Sequence, residues 1–369
     1  MERHGLRSSS GSVFLDGRPG NAVWQSDVTV RCPAVSDPEV ARPRVLYVCA
    51  WGRSGTTVLD RVFGQVPGFV SVGELRSLWD ADPTVRRCGC GVTVAECALW
   101  GQVLPAVLGP PGPGRVGEVR ALRDAVGRTR HLASLWRLGP RRRLDPAQEA
   151  YRSFLVALYR ALLAAAPGHV VVDSSKHPAE ALLLSAAGDV EVSVLHLVRD
   201  PRAVAYSWSR RPGDGAAAPD GDRPPPRGPL SSSGWWTLWN ATAEGPLRRR
   251  LGPRYRRLRY EDVMADPEAE LGGVLEWMGE RRDALAFCAP RSVDLGRAHT
   301  VAGNPNRFGA GPVTLREDRA WEQAMDPTRR TLATLGALPL MAHYGYRLSG
   351  LSAARPGAAT GRASENGRD

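Results

Sequence analysis

Four short runs, RVLYVCA (44–50), HVVVD (169–173), EVSVLHLV (191–198) and RRLRY (256–260), are mostly apolar and β-branched rather than alternating. A strand with one solvated face alternates apolar and polar residues, whereas a strand covered on both faces reads as a near-continuous apolar run, so these segments predict buried parallel strands. The segments between them carry helix start signals. In DPAQEAYRSFLVALYRALLAAAPG, Asp145 is the N-cap and Pro146 the first helical residue. Tyr151, Leu155, Leu158 and Leu162 form one apolar stripe, and Pro167-Gly168 ends it. DPEAELGGVLEWMG repeats the opening at Asp266 and Pro267. Strands alternating with helices predict an α/β fold around a parallel sheet.

The ends of the chain break this rhythm. Residues 1–42, rich in Gly, Ser, Pro and Arg, predict a loose leader; residues 349–369 predict a disordered tail; residues 43–348 are left as one domain. Residues 105–118 and 212–230 are dense in Pro and Gly and predict irregular loops, the second placed to act as a lid. It leads into GWWTLWN, whose Trp235, Trp236 and Trp239 share a helix face by spacing, either as core or as a substrate-facing wall. No stretch approaches a membrane span and the first residues contain no apolar export signal, so a soluble, cytoplasmic protein is expected.

Six cysteines in such a chain do not predict a disulfide framework. Cys88, Cys90 and Cys97 cluster in CGCGVTVAEC, but a zinc site needs four ligands and no His lies within the run. The expectation is a thiol-lined loop and no metal. The formal net charge of +11 favours an anionic ligand. Neither RRRL run (141–144, 248–251) is interleaved with aromatics, which argues against single-stranded nucleic acid as that ligand. The cationic residues are 48 arginines and one lysine, Lys176. Where arginine serves every generic need, a retained lysine marks a place for a compact ammonium rather than a planar fork.

Two stretches carry chemistry. After the first strand comes CAWGRSGTTVLDRV, in which Gly52 and Gly55 allow tight turns and converging N–H groups. The following helix adds the positive end of its dipole, Ser54, Thr56 and Thr57 add hydroxyls, and Arg53 adds a fixed charge. The loop lacks the terminal Gly-Lys-[Ser/Thr] of a nucleoside-triphosphate loop. In VLHLVRDPRAVAYSW, Asp200 and Pro201 open a helix and leave Arg199 at the carboxyl edge of the sheet, where ligands of open parallel sheets bind. Ser207 lies two turns on, so Arg199 and Ser207 can hold a second phosphate, unless Arg199 pairs with a neighbouring carboxylate such as Asp200. Two anion sites without a triphosphate lysine point to a nucleotide carrying phosphates at both ends of its ribose.

This set of motifs resembles the sulfotransferases that use 3′-phosphoadenosine 5′-phosphosulfate (PAPS), in their bacterial, carbohydrate and tyrosyl-protein branch. GRSGTTVLDRV is similar to the family's 5′-phosphosulfate loop and LVRDPRAVAYS to its 3′-phosphate motif, the order holding over roughly residues 44–346. The resemblance implies a P-loop-type three-layer domain with a central, mostly parallel sheet flanked by helices. It implies that Tyr260, in LRYEDV, sits by the adenine, and that Arg307, in HTVAGNPNRF (299–308), folds back onto the 3′-phosphate. PAPS would be the sulfuryl donor with no metal required. Arg53, the loop N–H groups and Lys176, in VVDSSKHPAEA, would stabilise charge on the leaving oxygen. Glu74, in FVSVGELRSLW, is the favoured general base, with His177 the alternative and a helix-capping role the bland reading. The acceptor would be a small molecule, carbohydrate, lipid or peptide bearing a hydroxyl or amine. The competing readings are a P-loop kinase, which needs Mg²⁺ ligands and a loop lysine, and a non-catalytic binder of anionic polymers.

Overall fold

The computed structural model describes residues 42–109, 114–127, 136, 144–210 and 225–348. The leader to residue 41, the tail from residue 349 and most of the 212–230 lid segment lie outside the described residues.

Strands β1 (Arg44–Cys49), β2 (Phe69–Gly73), β3 (Val170–Lys176), β4 (Glu191–Val198) and β5 (Tyr255–Arg259) form one parallel sheet in the order β2-β3-β1-β4-β5. Period-two alternation sends Val45, Tyr47 and Cys49 into one core and Leu46, Val48 and Ala50 into another, so both faces are covered. Helix α1 (Thr56–Phe63) packs Leu59, Val62 and Phe63 on the second face. On the first face lie α2 (Trp100–Leu108), α3 (Arg115–Val126) and α4 (Pro146–Ala165). Helix α4 begins with a capping box between Asp145 and Gln148, and it buries Tyr151, Leu155, Leu158 and Leu162. Then come α5 (Pro178–Leu184), α6 (Pro201–Ser209) and α7 (Pro229–Thr242), the last running through a π turn at Ala243–Leu247 into α8 (Arg248–Leu251). Helices α9 (Tyr260–Ala265) and α10 (Pro267–Trp277) follow β5. A small antiparallel pair, β6 (Ser292–Leu295) with β7 (Gly311–Thr314), precedes α11 (Ala320–Ala324) and α12 (Pro327–His343).

Several local expectations are corrected. Residues 105–118 are not one irregular loop, because α2 continues through Pro105 to Leu108 and α3 starts at Arg115. Pro105 lacks an N–H, so the helix loses one bond to Gly101 but keeps its buried Val103, Leu104 and Val107. The 212–230 segment likewise ends in structure, with Pro229 opening α7. Trp235 and Trp239 share a face toward Trp51, while Trp236 turns away to an edge contact with Tyr344 at 5.8 Å, as one residue of helix rotation requires. Tyr260 opens α9 rather than closing β5. Strand β2 is an element that the four apolar runs did not include.

Candidate active site

Parallel strands present all their carboxyl ends at one edge, and here the sheet order sets the order of side chains along it. Reading β2-β3-β1-β4-β5 gives Glu74, Lys176, the 50–55 loop, Arg199 and Tyr260. The connection leaving β1 goes toward β2 and the one leaving β4 goes toward β5, so the loops diverge and leave a crevice between β1 and β4. Arg53 and Arg199 stand on its two sides.

The loop is held open in a strained shape. Arg53 has φ 73° and Gly55 φ 96°, in the left-handed region. Gly55 is also close to the Tyr260 ring, where an added Cβ would lie 2.8 Å from Cδ2. Ser54 is buried and donates its hydroxyl to the Trp51 carbonyl at 2.7 Å, so it shapes the loop from within. Thr56 is buried at the start of α1, whose N-cap Gly55 has no side-chain cap and whose first turn contains no acidic residue. Its first N–H groups therefore face no competing carboxylate of their own helix. Gly52 lies under Trp208, which donates Nε1 to the Gly52 carbonyl at 3.1 Å.

Arg53 donates Nε to Ser207 Oγ at 3.0 Å, and Arg199 donates Nη1 to the Arg53 carbonyl at 3.2 Å. The Arg53 side chain thus reaches α6 across the crevice, and the Arg199 side chain reaches the backbone of the 50–55 loop. Arg199 does not pair with Asp200, which caps α6 and binds Arg202 at 2.7 Å. Its Nη2 instead reaches the carbonyl and Oδ2 of Asp318, both at 3.2 Å. The Arg199 guanidinium lies 4.4 Å from the centroid of the Tyr260 ring, so loop, arginine and aromatic form one continuous surface.

At the other end of the edge, Lys176 and Glu74 form an ion pair between Nζ and Oε1. Irregular register aims both residues: β3 gains residues against β1 between Tyr47 and Cys49, and β2 shifts against β3 between Ser71 and Gly73. Lys176 has φ 70°. The turn is fixed from below by Asp173, fully buried, which accepts from Tyr159 Oη at 2.8 Å and from the Ser175 N–H at 2.8 Å. Burial raises the Asp173 carboxyl to about 7, with the charge of Glu180 adding to it. Glu74 makes no side-chain cap to the 3-10 turn that follows it, so its carboxylate is not a capping group. His177 turns the other way, its ring edge-on to Trp239 at 4.9 Å. Burial, then the charges of Arg76 and Arg123, hold its imidazole well below the usual range.

The 299–308 segment returns to this edge. Val301 donates to the Val72 carbonyl at 3.0 Å and Glu74 to the Ala302 carbonyl at 3.4 Å. Asn304 donates to Thr57 Oγ1 at 3.3 Å, and Gly303, at φ 133°, passes where a Cβ would lie 3.5 Å from Glu74 Oε1. Arg61 of α1 pins the segment through the carbonyls of Asn306 at 2.6 Å and Gly309 at 2.5 Å. Arg307 is buried there and donates Nη1 to the carbonyls of Arg87 and Thr300, each at 3.1 Å. No local sequence pattern marks Asp318 as the partner of Arg199.

No protein-family model matches the chain, and no curated protein does. Solved structures do. The sulfotransferase domain of the Synechococcus PCC 7002 olefin synthase is 22% identical with a TM-score of 0.47, over 84% of this chain and 98% of that one. The sulfotransferase domain from the curacin biosynthetic pathway is 15% identical with a TM-score of 0.42, over 83% and 99%. Retinol dehydratase, solved with androsterone and the inactive cofactor PAP, is 15% identical with a TM-score of 0.34, over 82% of each chain. Among the described residues, no helix is long and apolar enough to cross a membrane.

Proposed function

We propose that this chain is a PAPS-dependent sulfotransferase that moves a sulfuryl group to a hydroxyl or amine acceptor, with Glu74 as general base. The observation that supports it best is the joining of Arg53 to Ser207 and of Arg199 to the Arg53 carbonyl at the β1/β4 crevice, beside an uncapped helix N-terminus and with the Lys176–Glu74 pair at the ends of the two strands on the other side of β1. The fit to a nucleotide with phosphates at its 5′ and 3′ positions is tested by this geometry. The α1 N-terminus and the Gly52–Thr57 loop suit the 5′ end, Arg199 with Ser207 suits the 3′ phosphate, and the Tyr260 ring beside Arg199 offers a flat surface to the base. When bound, PAPS supplies the activated sulfuryl group and a leaving adenosine bisphosphate.

The chain's own part is positioning and charge. The loop N–H groups and Arg53 would hold the 5′ end of the donor and supply charge stabilisation to its leaving oxygen. Lys176, adjacent to that loop in the sheet order, supplies an ammonium that can turn between Glu74 and the same oxygen. Glu74 takes the acceptor's proton as its lone pair engages. Trp51, stacked between Trp208 at 5.6 Å and Trp235 at 6.1 Å, walls the loop on the side of α7 and suits an acceptor with apolar surface. The protein is read as acting in solution in the cytoplasm, on a small-molecule, carbohydrate, lipid or peptide acceptor rather than on nucleic acid.

The deciding experiment is a transfer screen with ³⁵S-labelled PAPS across phenols, carbohydrates, lipids and peptides. Label moving to one acceptor class supports the reading. A folded protein that binds neither PAPS nor adenosine 3′,5′-bisphosphate would end it.

A further inference from the structure

The cysteine run has the fourth ligand that its own sequence lacks. Cys88, Cys90, Cys97 and His299 each bring one ligand atom to a common point, and these four atoms lie within 4.8 Å of one another. Cys88 Sγ and Cys97 Sγ are 3.6 Å apart, and Cys97 Sγ is 3.1 Å from His299 Nδ1. Sulfurs bound to one tetrahedral zinc at about 2.3 Å stand about 3.8 Å apart, whereas a disulfide brings them to about 2.05 Å. The observed separation excludes a disulfide and fits two ligands around a shared ion. Cys88 and Cys97 are buried, and Cys90 and His299 are half-buried, so the point is enclosed without being sealed.

The surrounding backbone is built to hold these atoms. Cys88 donates to the Val92 carbonyl at 2.8 Å and Gly91 to the Cys88 carbonyl at 2.9 Å, closing a tight turn that presents the first two sulfurs together. Cys97 sits just ahead of α2, with Gly101 donating back to its carbonyl at 2.7 Å. His299 is fixed by Trp100, which donates Nε1 to its carbonyl at 2.8 Å, and Gly89 donates to the Thr300 carbonyl at 2.8 Å. A Cβ at Gly89 would lie 2.4 Å from Thr300 Oγ1 and 2.6 Å from the Ala298 carbonyl, so only glycine lets the two segments approach this closely.

We propose that Cys88, Cys90, Cys97 and His299 form a closed structural zinc site. Three thiolates and one imidazole are the donor set that zinc takes in structural sites, and four protein ligands leave no position for a substrate or an activated water. Binding releases the thiol protons and links metal affinity to folding. The site ties the 88–97 loop to His299, four residues before the Gly303 backbone passes Glu74. It would therefore hold in register the segment that closes the far end of the active-site edge. The proposal stands on the ligand geometry and not on the sulfuryl-transfer reading, and its test reads metal rather than activity.

The full chain, purified with reductant and no added metal, should contain about one zinc per molecule by elemental mass spectrometry, released on mercurial titration of the thiols. Cobalt exchanged into it should give the intense d–d and thiolate charge-transfer bands of a tetrahedral S₃N site. His299→Ala should lose most of the metal, His299→Cys should retain it, and Cys288→Ser, remote from the cluster, should be unchanged. If His299→Ala fails to fold, wild-type stoichiometry and the cobalt spectrum still decide. A cooperatively folded wild-type protein that takes up neither zinc nor cobalt would overturn the proposal. So would a Cys88–Cys97 disulfide in metal-free native protein, an iron–sulfur absorption spectrum, or full zinc content in His299→Ala.

Discussion

Arg199 is the residue at which ligand binding and the unliganded structure compete most directly. Its guanidinium spends one bond on the Arg53 carbonyl and two on Asp318, all at 3.2 Å. The Asp318 carboxylate is 56% exposed, so this ion pair is of the surface kind, worth about 0–1 kcal/mol. A 3′-phosphate would replace it with charge-assisted bonds of about 1.5–3 kcal/mol. Removing the arginine should therefore weaken adenosine 3′,5′-bisphosphate about 10- to 150-fold, and Arg199→Ala should do little to 5′-AMP. Removing the competitor should act in the opposite sense: Asp318→Ala should tighten the bisphosphate by up to about 5-fold. Calorimetric titration of the three proteins with both nucleotides gives the six constants needed. Equal affinity of wild type for the two nucleotides, or weaker bisphosphate binding in Asp318→Ala, would refute the assignment of Arg199 to a 3′-phosphate.

Four further outcomes follow, three at the same edge and one in the helix behind it. Glu74→Gln keeps the shape but cannot accept a proton, so turnover should fall about 10²- to 10⁴-fold with little change in nucleotide affinity; Lys176→Arg should recover only part of what Lys176→Ala loses. His177→Ala should leave turnover nearly intact, and a dead His177→Ala beside an active Glu74→Gln would exchange their roles. Gly55→Ala should cost about 1–3 kcal/mol in stability, measured by denaturant titration, because φ 96° and the Tyr260 ring both exclude a Cβ. Burial lifts the Asp60 carboxyl from 3.8 to about 7, against opposing bonds from Ser71 and Ser174. The folded chain then holds a proton that the unfolded chain releases, so this group's contribution falls as pH rises from about 4 to about 7. His196, held down at about 4 by burial, acts in the opposite sense, but its effect is complete once the unfolded imidazole has titrated near 6.5. The melting temperature should therefore decline between about pH 6.5 and about pH 7, where the Asp173 carboxyl, also raised to about 7, acts in the same sense; Asp60→Asn should reduce the decline, and an unchanged slope in that variant would remove Asp60 as a source.

What the sequence made legible is what short-range chemistry dictates. β1, β3, β4 and β5 appear as apolar runs because both faces of the sheet are covered, and Asp145, Asp200 and Asp266 cap helices because each precedes a proline suited to the first helical position. β2 escaped because FVSVG is five residues long, ends in glycine and pairs on one side only. α2 escaped because composition counts Pro105 against a helix, whereas its buried Val103, Leu104 and Val107 decide the matter through packing. The longest-range relations were invisible for a different reason. Cys97 and His299 are 202 residues apart and Arg199 and Asp318 are 119 apart, so no spacing rule connects them. Both meet only because the 299–318 stretch folds back across the carboxyl ends of the strands.

That return path bears on why the edge has the order it has. A sheet ordered β2-β3-β1-β4-β5 sets the Lys176–Glu74 pair on one side of the 50–55 loop and Arg199–Tyr260 on the other, so the proposed proton transfer and nucleotide recognition would be separated by the width of a strand or two. Neither end is completed by the strands themselves. Asp318 occupies Arg199 at one end, and Ala302 and Gly303 cover Glu74 at the other, all from a single C-terminal stretch. A displacement of that stretch alters both ends together, which a change in any one strand would not. Nucleotide binding that draws Arg199 from Asp318 should accordingly be felt at Glu74, and a ligand that leaves the Asp318 contact in place should not. Hydrogen exchange at the Glu74 N–H, bonded to the Ala302 carbonyl at 3.4 Å, reads that coupling directly. Protection should change with adenosine 3′,5′-bisphosphate and stay constant with 5′-AMP; the same response to both would mean that the two ends act independently.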